Sequence, residues 1–112
     1  MEGCINSVIK SVRGDTMAFA IEIEGLDQDL DSAYFSCKQN YTDEDYVFQK
    51  SIGDGIEKVE TGKYRIRVAP EDTATVDPGR YYFDLEIGAN GDIYTLMRGI
   101  LELLPDVTEV EE

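Results

Sequence analysis

The run Asp27-Gln28-Asp29-Leu30-Asp31 sets three carboxylates at alternate positions, as at the opening of an EF-hand calcium loop. Oxygen ligands so spaced can begin to wrap a divalent cation. The match then fails, because Ser32 stands where the loop needs Gly and Lys38 where it needs a bidentate Glu. A solvated acidic loop is the expectation, with a weak calcium site on Asp27–Asp31 as the alternative. Arg13-Gly14-Asp15 matches an integrin-binding tripeptide, but three residues coincide by chance too often, and a turn is expected there. Catalytic chemistry is thinner still. The chain has no His, which removes the commonest general base and metal ligand, and Cys4 and Cys37 have no imidazole to activate them. No carboxylate pair sits in a glycosidase or nuclease motif. The expectation is no enzyme, no cofactor and no metal site.

Charge narrows the partners. Twenty-four acids against ten bases give a formal net charge of −14. Phosphate backbones and anionic lipid surfaces call for a basic face, so neither nucleic acid nor membrane is an expected partner. Half the excess falls in Glu22–Asp45, with eight acids and one base, and five more acids lie between Glu102 and Glu112. Such acidity keeps copies apart in solution or offers a surface to a basic partner. No apolar run approaches the roughly 18 residues of a membrane span. The opening MEGCINSVIK carries an acid and no apolar core, so a signal peptide is not expected. Without one, Cys4 and Cys37 are expected to be reduced.

Aromatic side chains remain as the residues suited to contact. Tyr34, Tyr41, Tyr46, Tyr82 and Tyr94 fall at outward or loop positions of the alternating pattern. Tyr34, Tyr82 and Tyr94 lie on three strands expected near Ala33–Lys38, Tyr81–Ile87 and Ile93–Leu104. If those strands are neighbours, the three tyrosines share one outer face. Tyrosine is enriched at protein contacts, so this face is the candidate contact surface; cross-strand stabilisation is the alternative.

The elements that must position them are strands. Hydrophobic alternation recurs along the chain, and no stretch holds a helical period for three turns. One single-domain sandwich of 112 residues is expected, with an acidic tail over about 106–112. A strand at Ile5–Val12 is followed by one with Met17, Phe19, Ile21 and Ile23 on a single face. The next points Ala33, Phe35 and Cys37 inward. A short strand near Tyr46–Lys50 and another from Ile56 precede one with Tyr64, Ile66 and Val68 inside. Lys63, Arg65 and Arg67 lie outside on that strand, where pairing of Glu22 and Glu24 with Arg65 and Arg67 is expected. Asn90-Gly91 is a hairpin signal, and Gly99 is expected to mark a bulge.

After a polar, turn-forming stretch from Pro70, Asp77-Pro78-Gly79-Arg80-Tyr81 opens a strand with Tyr81, Phe83, Leu85 and Ile87 on its inner face. The Asp-x-Gly-x-Tyr spacing is similar to the corner of immunoglobulin-like sandwiches, in which a tyrosine hydroxyl bonds back to upstream backbone. Asp77, Gly79 and Tyr81 are the corner residues, with the Tyr81 hydroxyl expected on the backbone of Glu71–Val76. Phe83 takes the place of the second disulfide cysteine of antibody domains. The fold class expected is all-β, an Ig-like antiparallel β-sandwich of seven to eight strands.

In order, the chain carries Arg13-Gly14-Asp15-Thr16, the Ala33–Lys38 strand and Pro70-Glu71-Asp72-Thr73. Pro78-Gly79-Arg80-Tyr81-Tyr82-Phe83-Asp84, a hairpin and a last strand with Gly99 follow. Together they resemble the N-terminal Ig-like domain of the baseplate upper protein family of tailed phages and prophages of Gram-positive bacteria, over about residues 5–108. The resemblance implies a sandwich that anchors a receptor-binding apparatus, located in the virion, with other phage structural proteins or further copies as partners. Members of that family continue into a linker and a second domain, whereas this sequence stops at Glu112. A small tail or baseplate subunit or adaptor is therefore expected. A carbohydrate-binding or adhesive Ig-like module and a capsid decoration protein are the alternatives.

Overall fold

The computed structural model describes residues 5–108. Its strands are β1 (Ile5–Val12), β2 (Met17–Glu22), β3 (Ser32–Lys38), β4 (Phe48–Ile52), β5 (Gly55–Glu60), β6 (Lys63–Val68), β7 (Gly79–Ala89) and β8 (Asp92–Leu104). One helical turn, α1 (Pro70–Thr73), interrupts them. Period-two alternation sends Ala33, Phe35 and Cys37 of β3, Tyr64, Ile66 and Val68 of β6, and Tyr81, Phe83, Leu85 and Ile87 of β7 into one core. Asn90 and Gly91, at φ of 55° and 83°, form the tight β7–β8 hairpin, since two consecutive positive φ values match the twist of the strands they join.

The hydrogen-bonded order is β1-β8-β7-β3-β4-β5-β6-β2. A flat sheet in that order would hold β2 roughly 19 Å from β3, four strand spacings away. Instead the Phe19 ring of β2 meets the Phe35 ring of β3 edge-on, with centroids 5.2 Å apart. The sheet is therefore folded over into two layers, β1-β8-β7-β3-β4 against β5-β6-β2. Only two residue pairs, Ser51↔Gly55 and Ile52↔Ile56, carry the ladder from one layer to the other. The Tyr64 hydroxyl ties the layers again by accepting from the Leu30 backbone N–H at 3.0 Å, a buried bond. This is an Ig-like β-sandwich. Its pairing is not wholly antiparallel, since β1 runs parallel to β8 and β4 parallel to β5.

Three local expectations are corrected. The bulge in β8 lies at Leu96, which is skipped between the pairs Glu86↔Thr95 and Leu85↔Met97. Gly99 pairs regularly with Phe83 and with Ser7, and a Cβ there would collide with the Ser7 backbone. Its glycine thus serves close approach of β1. The stripe on β6 is compensated mainly from β5: Arg65 reaches Glu57 at 3.4 Å and Lys63 reaches Glu60 at 2.9 Å. Register decides this, because Glu22 lies opposite Lys63, and Arg65 opposite Ala20. Finally, Pro70–Thr73 forms α1 rather than an open turn. The Asp72 carboxylate accepts from the Ala69 N–H at 2.7 Å and pairs with Lys50 at 2.7 Å. Buried Thr73 accepts from the Gly14 N–H at 2.9 Å, which fixes the Arg13-Gly14-Asp15 turn. Cys4 and residues 109–112 of the acidic tail lie outside the described residues.

Candidate docking face

The outer face of the larger layer is built by the residues that alternate with the core. Tyr34, Ser36 and Lys38 of β3 lie across from Glu86, Asp84 and Tyr82 of β7, in that order. Gln49 of β4 joins them opposite Ser36, donating to its hydroxyl at 3.1 Å. On the far side Thr95 and Arg98 of β8 lie opposite Glu86 and Asp84. Over this floor the β3–β4 loop folds back. Tyr41 stacks on Tyr82, with centroids 4.1 Å apart and ring planes 27° apart. Arg98 stands 5.8 Å from the Tyr41 ring and Lys38 4.9 Å from the Tyr46 ring, both within cation–π range. Together these groups border an open groove of about 530 Å³.

Tyr34 and Tyr82 therefore occupy the face assigned to them, and Tyr94 does not. Tyr94 lies opposite buried Ile87 and packs against the core. Strict alternation back from buried Leu103 and Leu101 would turn Tyr94 outward. The extra residue at Leu96 reverses the phase, bringing Tyr94 in and leaving Ile93 exposed. Tyr41 and Tyr46 take its place on the face. Their exposure was legible, Tyr41 within the polar Asn40–Asp45 region and Tyr46 just after it, but their stacking partners depend on how the loop returns.

Asp84 lies at the centre of the groove floor. Burial pushes its carboxyl above the usual aspartate range, and Arg98 and Lys38 pull it partly back. A desolvated carboxylate between two cations fixes charge on this face.

At the corner, Gly79 opens β7 at φ of 150°, and the Tyr81 hydroxyl donates to the Asp77 carbonyl at 2.5 Å. The acceptor lies one residue beyond the Glu71–Val76 segment expected, because α1 shortens the connection and carries that backbone away. Burial raises the Tyr81 phenol above its ordinary value, with the nearby Asp77 carboxylate acting the same way. Tyr81 is buried and Tyr82 half-buried.

The Asp27–Asp31 loop spends its polar groups on other parts of the chain. Asp29 pairs with Lys58 at 2.5 Å, Asp31 accepts from the Gly91 N–H at 3.2 Å, and Gln28 bonds to Asn90. Among the described residues no group of three or more acids or cysteines converges to hold a metal ion. Cys37 is a buried free thiol whose pKa burial pushes up to about 12, far from a reactive thiolate.

No protein-family model matches the chain, and no curated protein matches it in sequence. Among solved structures it is similar to the extracellular domain of the voltage-gated sodium channel beta4 subunit. Identity is 13%, the TM-score is 0.51, and the alignment covers 96% of this chain and 98% of the other. That protein is described as forming parallel homodimers that explain its role in cell–cell adhesion. At such identity the likeness concerns the fold alone, and it agrees with the strand arrangement above: this chain is an all-β, Ig-like sandwich.

Proposed function

We propose that this chain is a non-enzymatic structural protein that acts by docking, as a small subunit or adaptor of the tail or baseplate of a tailed phage or prophage. The docking role rests on the outer face of β3, β4, β7 and β8. There Tyr34, Tyr41, Tyr46 and Tyr82 gather with Lys38 and Arg98 around one open groove. Tyrosine and arginine are enriched among the residues that dominate the energetics of protein contacts: the tyrosine ring buries much area with few rotors, and both can still hydrogen-bond at the rim. The phage setting rests on the ordered motifs from Arg13-Gly14-Asp15-Thr16 to Gly99. The partners are then other virion proteins, further copies of this chain among them. The solved neighbour offers a parallel, an Ig-like domain that works by pairing with its own kind.

Mass spectrometry of purified particles from the source phage or prophage tests this. The chain should be present in fixed stoichiometry, and a folded Tyr41→Ala/Tyr82→Ala variant should stay in the lysate. Wild-type chain absent from particles and retained in the lysate would sink the structural role.

A second reading, a carbohydrate-binding module, is favoured by one feature of the same groove. Tyr41 is 61% exposed beside the carboxylates of Asp84 and Glu86, the amide of Gln49 and the hydroxyl of Thr95. A ring face with hydrogen-bonding groups around it is what a sugar needs. Glycan-array binding that disappears in Tyr41→Ala would select this reading.

A further inference from the structure

The smaller layer ends at β2, which is paired on one side with β6 and has no strand on its other side among the described residues. Ile23 donates its backbone N–H to Gly62 at 2.7 Å, continuing the β2–β6 ladder. Because backbone groups alternate sides along a strand, the odd-numbered residues of β2 face β6. The N–H and C=O groups of Ala18, Ala20 and Glu22 therefore point out along the free edge. Natural edges are blunted by lysine, proline or a bulge. Met17–Glu22, reading Met-Ala-Phe-Ala-Ile-Glu, has none of these. Its inward Phe19 and Ile21 are only half-buried, and its outward Ala18 and Ala20 are too small to obstruct an approaching strand.

We infer that this edge pairs antiparallel with β2 of a second copy, centred on Ala20. In that register Ala20 lies opposite its own counterpart and Ala18 opposite Glu22 of the other copy. These are the residues whose backbone groups face the edge, so the three pairs close with about six hydrogen bonds, two each. Registers two residues to either side satisfy fewer of them. On the inner face, Phe19 of each copy meets Ile21 of the other, covering the half-buried pair.

The outer face supplies the charge match. Arg67 lies directly across β2 from the free edge, next to Ala18, and is exposed with no ion-pair partner among the described residues. Glu22 of the second copy would stand beside the methyl of Ala18, about two strand spacings or roughly 10 Å of backbone from Arg67. That gap is within the joint reach of the two side chains, and two-fold symmetry forms the contact twice. The occupant thus carries an acid two residues from its central alanine, as this chain does. The inference is independent of the tyrosine face, which lies on the other layer.

The test is oligomeric state joined to amide exchange. Each copy carries a formal charge of −14, so it belongs at about 0.15 M salt, where charges beyond about 8 Å are largely screened. Sedimentation equilibrium up to about 1 mM should show a monomer–dimer equilibrium, and exchange at Ala18, Ala20 and Glu22 should slow as protein concentration rises. Ala20→Pro removes an edge-facing donor without touching the β2–β6 bonds, and proline is tolerated on an edge. It should weaken the dimer about thirtyfold, since both central bonds go at once. Ala18→Glu, at an exposed position, keeps the fold and should dissociate the dimer by placing like charges opposite each other. Tyr41→Ala/Tyr82→Ala should leave it intact. A monomer at every concentration refutes the inference, as does a dimer that survives Ala18→Glu or is lost in the tyrosine variant. Protection of the three amides at all dilutions would mean the edge is covered within a single copy and refute it equally.

Discussion

Phe35→Ala is the substitution that most directly probes how the layers close. The Phe35 ring is 1% exposed and lies 5.2 Å from Phe19, 5.8 Å from Phe48 and 5.6 Å from Phe83, centroid to centroid. Removing a buried phenylalanine costs about 3–5 kcal/mol, and three aromatic neighbours put this site toward the upper end. A domain of this length has roughly 6–17 kcal/mol in total. An unfolding entropy of about 2.1 cal/mol/K per residue translates a 4 kcal/mol loss into a Tm roughly 17 °C lower. Urea melts monitored by tyrosine fluorescence and far-UV circular dichroism would measure it. Phe19, half-buried on the facing layer, should cost about 1.5–3 kcal/mol as Phe19→Ala. The double variant should then show a coupling of about 0.5–1.5 kcal/mol, because the two rings touch across the sandwich. A coupling of zero, or a Phe35→Ala loss under about 1.5 kcal/mol, would refute the folded-over arrangement.

Tyr81→Phe removes the hydroxyl from the Asp77 carbonyl and should cost about 1 kcal/mol in the same melts, with the core ring unchanged. Gly99→Ala should cost more than a surface change, upward of about 1 kcal/mol, and should raise amide exchange along β1, because the added methyl displaces the Ser7 backbone. For Cys37, the folded state holds the proton up to a pKa of about 12 against an ordinary 9.0. Its contribution is complete below pH 9 and lost as pH rises toward 12, since the unfolded thiol ionises first. The stability difference between wild type and Cys37→Ala should therefore shrink across that window, and a difference that stays flat would mean the thiol is not desolvated. A thiol reagent should reach Cys37 only on unfolding.

Much of the fold could be read from residue order because burial on one face of a strand imposes a period of two. The inward sets of β2, β3, β6 and β7 follow from it, as does the Asn90-Gly91 hairpin, whose backbone angles few other dipeptides adopt. The corner tyrosine was legible for the same kind of reason, as local chemistry at fixed spacing. The tyrosine face was half legible. Tyr34 and Tyr82 belong to regular strands and keep their phase, while Tyr94 is turned inward by a single unpaired residue, Leu96.

What the sequence determined alone is thus everything carried by local periodicity and composition: an all-β chain, its inner faces, its acidity and the scarcity of catalytic groups. Tertiary structure decided what depends on which strands meet. Register gave Arg65 to Glu57 and Lys63 to Glu60. Close approach of β1 put glycine at position 99, and the returning loop laid Tyr41 on Tyr82. The strand order also left β2 at an edge with its outward backbone groups unpaired among the described residues. Each of these joins residues distant along the chain. Side-chain alternation states which way a residue points and is silent on what it will face there.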